Sequence, residues 1–142
     1  MSATRTNRDS QTQAPRFPIP SDLLQLGDPE GDPQEPGWAN LGDWSRAEHY
    51  RAACRALADR LADAAQLQPD CSLLDLGCGP GTQLTHWVQQ HGVARVQAVE
   101  IDAPHVQSAR QRVQAAGLQS AIQVHQGDAR QLTQILPEGA HF

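Results

Sequence analysis

The sequence predicts an α/β fold in which strands of a parallel sheet alternate with helices. Three observations predict it. Apolar runs of strand length lie at residues 72–76, 93–101 and 121–125, and apolar residues at helical spacing fill both intervals between these runs. A run of glycines follows the first strand directly. Because strands that alternate with helices pair in parallel through right-handed crossovers, we expect one open parallel sheet.

Each helix has its own local signals. Ser45 and Glu48 form a capping box ahead of an apolar stripe, so the first helix is expected over residues 46–65. The second helix is expected over residues 82–90, between the glycines and the second strand. Pro104 is expected in the first turn of the third helix, where its missing N–H carries no cost.

Composition divides the chain into three parts. Residues 1–36 are predicted to be a flexible leader, because six of the ten prolines lie before Trp38 beside an acidic cluster. Residues 37–70 are expected to form a lid-like segment and the leading helix, and residues 71–142 an incomplete α/β core that binds a cofactor. No apolar run approaches the ~20 residues of a membrane span, and no secretory h-region is present. We therefore expect a cytoplasmic protein without a membrane partner.

Charge and side-chain chemistry exclude several classes of site. The formal net charge is −5 and all eleven basic residues are Arg, which argues against a nucleic-acid partner. Cys54, Cys71 and Cys78 are odd in number and lack metal-ligand spacing, so they favour a reducing cytosol and predict no metal site. The histidines are scattered along the chain, and His86 and His91 are expected to be solvated.

The glycine run is the main candidate site. Gly77, Gly79 and Gly81 follow a strand and precede a helix, a context in which bare backbone and helix amides bind polar or anionic ligand atoms. Cys78 is interpreted as a small filler between them. Asp75 lies two residues before the glycines, at the edge of the sheet where ligands bind. Its carboxylate is expected to accept hydrogen bonds from a ligand ammonium group; alternatively, it only braces the loop amides.

Two further acids end the next two strands. Glu100 lies nineteen residues after Gly81, where a carboxylate is placed to accept hydrogen bonds from ribose hydroxyls. Asp102 is the rival, and we assign it instead to the cap of the following helix. Asp128 follows the third strand, where its carboxylate can accept from an exocyclic amine while the Ala129 N–H donates to a ring nitrogen. Alternatively, Asp128 only forms a turn.

Together these segments resemble the class I S-adenosylmethionine-dependent methyltransferases. LLDLGCGPGT at residues 73–82 is similar to the motif that holds the methionine end of that cofactor, VQAVEID at 96–102 to the motif that holds the ribose, and QGDAR at 126–130 to the motif beside the adenine. The resemblance implies a Rossmann-like sheet, the N-terminal half of the family fold. It implies that S-adenosylmethionine is bound by Asp75, Gly77, Cys78, Gly79, Gly81, Glu100, Ile101, Asp128 and Ala129.

The resemblance also implies an activity, namely methyl transfer, and the lid-like segment and the acidic charge favour a small-molecule acceptor. It identifies no catalytic residue, no nucleophilic atom and no oligomeric state. Residues 40–44, with Tyr50, resemble the segment that folds over the cofactor in small-molecule methyltransferases. The alternative is that Trp44 and Tyr50 pack the leading helix onto the sheet.

Other interpretations stay open beside this one. The family fold has seven strands, and residues 139–142 resemble the start of the fourth, so we expect a fragment or a truncated product. Such a chain could be a non-catalytic S-adenosylmethionine-binding fragment or a regulatory module. An NAD-type oxidoreductase is disfavoured, because its loop usually reads G-x-G-x-x-G whereas this one reads G-x-G-x-G.

Overall fold

The computed structural model describes residues 37–136. The predicted leader over residues 1–36 and the expected strand at residues 139–142 lie outside them. In chain order, the elements are α1 (Tyr50–Ala64), β1 (Ser72–Leu76), α2 (Thr82–His91), β2 (Arg95–Glu100), α3 (Ala103–Ala115), β3 (Ile122–Gln126), a 3-10 turn (Ala129–Gln131) and α4 (Leu132–Ile135). The alternation of strands and helices is as predicted, and the fold class is confirmed. No helix among the described residues is long and apolar enough to cross a membrane.

The three strands form one parallel sheet in the order β1-β2-β3. In this register, Asp75 lies opposite Ala98, and Glu100 lies opposite Gln126. The strand order follows the chain order, so both right-handed crossovers step across the sheet in the same direction. The helices α2 and α3 therefore lie on the same face of the sheet, where they pack together. All carboxyl ends of the strands therefore meet at one edge, directly before the loops that carry the candidate site.

The two faces of the sheet differ in polarity. On the helix side, Val96 and Ala98 are fully buried in the main apolar cluster. Because strand side chains alternate between faces, Gln97 points to the other side. There its amide contacts His125 at 2.7 Å and Gln123 at 3.3 Å. A row of hydrogen-bonded polar side chains thus covers the β2–β3 face that lies away from the helices.

The start of α1 differs from the prediction. The helix begins at Tyr50 and no side chain among the described residues caps it, so the capping box at Ser45 is wrong. Instead, Asp43 Oδ1 accepts a hydrogen bond from the Ser45 N–H at 3.0 Å. The Asp43 N–H in turn donates to the carbonyl of Ala53 at 2.7 Å. This local turn competes with helix formation, a common behaviour of Asp and Ser.

The second helix begins at the predicted residue and ends one residue later than predicted. Gly92 ends α2 with φ 69°, a left-handed conformation that favours glycine. Asp102 caps α3, and its Oδ2 accepts a hydrogen bond from the N–H of His105 at 3.3 Å. The assignment of Asp102 to a cap is confirmed.

Candidate cofactor site

The glycine loop lies between β1 and α2, and its three alternate glycines have positive φ. The angles are 77° at Gly77, 55° at Gly79 and 85° at Gly81. A Cβ at Gly81 would lie 2.7 Å from the Cβ of Ala109, so this glycine lets the loop pack against α3. At Gly77, by contrast, no described residue other than its chain neighbours lies within 4 Å of the position that a Cβ would take. The loop is therefore tightly packed at one end and open at the other.

Glu100 is the acid that holds this loop in place. It is buried, with 7% of its surface exposed. Its Oε2 accepts a hydrogen bond from the N–H of Gly79 at 2.9 Å, and its Oε1 accepts another from the N–H of Asp102 at 2.9 Å. The bracing role considered for Asp75 thus belongs to Glu100. A carboxylate has about four acceptor positions, so two remain for a ligand.

Asp75 lies on the same sheet face as Glu100, on the neighbouring strand. Its register partner is Ala98, two residues before Glu100, and side chains two residues apart point to one face. Asp75 Oδ2 accepts a hydrogen bond from the indole Nε1 of Trp87 at 3.0 Å. Burial raises the pKa of Asp75; the indole hydrogen bond opposes this shift, and the nearby Glu100 charge adds to it.

Cys78 lies in the loop beside these two acids. Its thiol is buried, and burial together with the charges of Asp75 and Glu100 raises its pKa to about 12. A thiol in such surroundings stays protonated and is a poor nucleophile. This environment agrees with its interpretation as a small filler.

Asp128 and Ala129 lie just beyond β3. Asp128 Oδ1 caps the 3-10 turn by accepting from the N–H of Arg130 at 2.9 Å, and the Arg130 Nε donates to Oδ2 at 2.9 Å. These hydrogen bonds lower the pKa of Asp128 to about 2. Ala129 is the first residue of the turn, so its N–H has no partner within that turn. The Asp128 carboxylate is thus paired locally, whereas the amide of Ala129 lies at the turn's N-terminus.

Two exposed apolar side chains flank the loop. Ile101 follows the end of β2 and is 51% exposed, and Leu76 ends β1 and is 50% exposed. Leu76 was missed by the sequence analysis, which assigned it only to a buried strand. Its position directly before Gly77, at the carboxyl end of the strand, is the signal that could have identified it.

The segment before α1 is anchored to the start of α2. The Gly37 carbonyl accepts a hydrogen bond from Thr82 Oγ1 at 3.0 Å. Tyr50 Oη lies 3.1 Å from the carbonyl of Trp38 and 2.8 Å from that of Asn40. The buried ring of this segment is Trp38, whereas Trp44 is 53% exposed. Trp44 therefore does not pack the leading helix onto the sheet.

His86 and His91 are not solvated, so that prediction was wrong. Their side chains are 10% and 19% exposed, and the Nε2 atoms lie 2.7 and 2.9 Å from the same Oδ1 of Asp59. Asp59 belongs to α1 and both histidines to α2. The three residues come together only because the two helices pack side by side.

Comparison with known proteins identifies related chains. A family model described as a methyltransferase domain matches residues 73–141. Erythromycin 3''-O-methyltransferase of Saccharopolyspora erythraea is 31% identical over 99 residues, which are 69% of this chain and 32% of that protein. Ribosomal RNA small subunit methyltransferase B of Xanthomonas campestris pv. campestris is 29% identical over 112 residues, 79% of this chain and 24% of that protein. The chain thus spans a third or less of the length of these relatives.

A solved structure agrees in fold. An RNA methyltransferase of Salinibacter ruber, crystallised with S-adenosyl-L-homocysteine, aligns with a TM-score of 0.50 and 31% identity over 53% of this chain and 48% of that chain. By sequence, residues 73–141 match a methyltransferase domain, and the fold is that of the class I S-adenosylmethionine-dependent methyltransferases.

Proposed function

We propose that this chain binds S-adenosylmethionine at the carboxyl edge of its sheet and forms the cofactor-binding part of an enzyme that methylates a small molecule. The open space at Gly77 beside two acids on one sheet face carries this proposal. The cofactor presents an ammonium group, a sulfonium and ribose hydroxyls. Backbone without a Cβ, next to the carboxylates of Asp75 and Glu100, fits such a ligand by close approach and by charge.

Each residue at this edge has a distinct proposed role. Asp75 accepts hydrogen bonds from the ammonium group, and Glu100 accepts from the ribose hydroxyls with the positions that Gly79 and Asp102 leave free. Leu76 and Ile101 offer apolar surface to the purine, and the Ala129 N–H donates to a ring nitrogen. Asp128 orients this amide through its cap of the 3-10 turn.

The chemistry asks little of the protein beyond positioning. Bound S-adenosylmethionine supplies a methyl group that is already activated by the sulfonium. The binding residues therefore contribute by holding the acceptor and the methyl group in line and by excluding water, and such positioning can supply up to about 7–11 kcal/mol. The segment at residues 37–43, anchored through Thr82 and Tyr50, is proposed to act as the lid.

The charge distribution supports a small acceptor. Binding to nucleic acid requires cationic side chains that are free to contact phosphates. Three of the guanidinium groups are engaged within the chain: that of Arg60 donates to Asp43, that of Arg110 to the Val124 carbonyl, and that of Arg130 to Asp128. The net charge of −5 points the same way.

RNA is the second candidate acceptor. One relative and one solved structure are named as RNA methyltransferases. The two acceptor classes are separated by incubating the chain with radiolabelled cofactor and either total RNA or a small-molecule extract. Label in the small-molecule fraction supports the proposal, and label in RNA favours the alternative.

Calorimetric titration with S-adenosylmethionine, S-adenosylhomocysteine and NAD⁺ tests cofactor binding. We expect both sulfur ligands to bind at least about tenfold more tightly than NAD⁺, or about 1.4 kcal/mol. Preferential binding of NAD⁺, or no binding of any of the three, would refute the proposal. Cofactor binding without methyl transfer to any acceptor would favour the non-catalytic module.

A pair of glycine variants locates the site. Gly77 and Gly117 have φ of 77° and 68°, and at neither position does a described residue other than the chain neighbours lie within 4 Å of an added Cβ. Both substitutions to Ala therefore carry a similar conformational cost. We expect Gly77→Ala to weaken cofactor binding at least about tenfold, whereas Gly117→Ala leaves it unchanged. Equal affinities in the two variants would argue against a site at Gly77.

A further inference from the structure

We propose that Asp59, His86 and His91 form a binding site for a divalent transition-metal ion, with zinc as the best match, between α1 and α2. One ligand atom from each residue lies within 4.8 Å of the other two. The cluster lies on the helices rather than on the glycine loop, and its ligand atoms are separate from those of the proposed cofactor site. The expectation of no metal site was based on the spacing of the cysteines, and the sequence pattern did not reveal this cluster because its carboxylate is on a different helix from its histidines.

The distances are close to those of a bound ion. The Nε2 atoms of His86 and His91 lie 2.7 and 2.9 Å from Asp59 Oδ1. Zinc binds imidazole nitrogen and carboxylate oxygen at about 2.0–2.2 Å, so adjacent ligand atoms in a tetrahedral shell are roughly 3.4 Å apart. An entering ion therefore needs the two contacts to open by only about 0.5–0.7 Å.

Both imidazole rings are held in orientation by aromatic neighbours. The centroid of the His86 ring lies 5.4 Å from that of Trp38 in a T-shaped arrangement, and the centroid of His91 lies 5.8 Å from that of Trp87. The histidine side chains are largely buried, whereas that of Asp59 is 51% exposed. Packing thus orients the two nitrogen ligands, and the exposed carboxylate leaves a side for the ion to enter with a water ligand.

The donor set favours particular ions. Two imidazoles and one carboxylate suit zinc and its neighbours in the first transition row, whereas magnesium and calcium prefer oxygen ligands alone. A bound ion would cross-link the helix that supports the lid segment to the helix that begins at the glycine loop. Trp87 of α2 packs on His91 and donates a hydrogen bond to Asp75. The same ion would therefore also order the helix that carries this hydrogen-bond donor.

Zinc titration of the untagged full chain, freed of metal by a chelator, tests the site by calorimetry. We expect one zinc ion per chain and a higher unfolding temperature with zinc, whereas magnesium produces neither effect. His91→Gln and Asp59→Asn should each weaken zinc binding at least about tenfold. Asp59→Asn keeps an oxygen that accepts hydrogen bonds from both imidazoles. If the cluster served only hydrogen bonding, this variant would therefore preserve it.

His105→Gln is the matched control, since His105 Nδ1 lies 3.7 Å from a single carboxylate oxygen, that of Asp102, on an exposed surface. We expect this variant to bind zinc as the original chain does. The proposal is overturned by absence of zinc binding, by unchanged affinity in both cluster variants, or by loss of binding when only the cysteines are alkylated. All these measurements are made without S-adenosylmethionine, so their outcome does not depend on the proposed function.

Discussion

The carboxylate of Glu100 accepts a hydrogen bond from the backbone N–H of Gly79 at 2.9 Å, and the two residues belong to different strand-loop units. The other oxygen of the same carboxylate accepts from the N–H of Asp102 at the start of α3. One buried side chain at the end of β2 therefore connects the glycine loop to the next helix. Glu100 is thus a structural brace in addition to its proposed role as a ribose ligand.

We predict that Glu100→Gln destabilises the protein even without cofactor. The substituted amide has one acceptor oxygen, so its NH₂ group would face one of the two backbone N–H groups and leave that donor unsatisfied. The free energy of unfolding in urea should fall by about 1–3 kcal/mol. Gln126→Ala is the control, at an exposed position paired with Glu100 in the sheet, and should change stability little. Equal stability of the two variants would exclude the brace.

Asp75→Asn is predicted to stabilise the protein at neutral pH while it weakens cofactor binding. Because the pKa of Asp75 in the folded state is raised above its ordinary value of 3.8, the unfolded chain loses this proton first as the pH rises. The free energy of unfolding therefore falls as the pH rises from the ordinary pKa to the folded-state pKa. Above the folded-state pKa, the full cost of a buried charge is present.

The gain in the free energy of unfolding should be about 0.5–2 kcal/mol at pH 7. It should vanish as the pH falls below the ordinary pKa of 3.8, because both states are then protonated. Urea unfolding between about pH 3 and about pH 7 measures the difference. An Asn variant that is less stable at neutral pH would contradict the prediction.

Gly81→Ala is predicted to be more damaging to stability than Gly117→Ala. Both positions have positive φ, 85° and 68°, which costs an alanine about 1–2 kcal/mol. At Gly81 the new methyl group would also lie 2.7 Å from the Cβ of Ala109, so the loop or α3 must shift. Overpacking of this kind adds about 1–3 kcal/mol. Thermal unfolding of the two variants side by side measures the difference, and equal costs would show that the loop does not pack on α3.

The cysteines should differ in reactivity. Burial raises the pKa of Cys54, and burial with two nearby carboxylates raises that of Cys78 to about 12, whereas Cys71 is partly exposed. Iodoacetamide should therefore label the folded protein at Cys71 first, since the thiolate is the reactive form. Peptide mass spectrometry identifies the adduct, and labelling of the urea-unfolded chain at all three thiols is the control. Equally rapid labelling of Cys78 in the folded state would contradict its assignment as an inert filler.

Much of the fold was predictable because its signals are local. The first strand was predicted at the residues where it occurs, Ser72–Leu76, since an apolar run bounded by a glycine loop is a short-range pattern. The positive φ of Gly77, Gly79 and Gly81 and the cap at Asp102 are local as well. The start of α1 was misplaced because two local signals competed: a capping box at Ser45 and a turn closed by Asp43.

The amino-acid sequence by itself determined the alternation of strands and helices, the glycine loop and the acids that follow the strands, since each depends on residues near one another in the chain. Only the tertiary structure decided that Glu100 rather than Asp75 braces the loop, that Trp38 is the buried ring, and that Asp59 meets two histidines. These outcomes depend on which side chains from distant segments lie within hydrogen-bonding or packing distance, and helix packing and strand register set those distances.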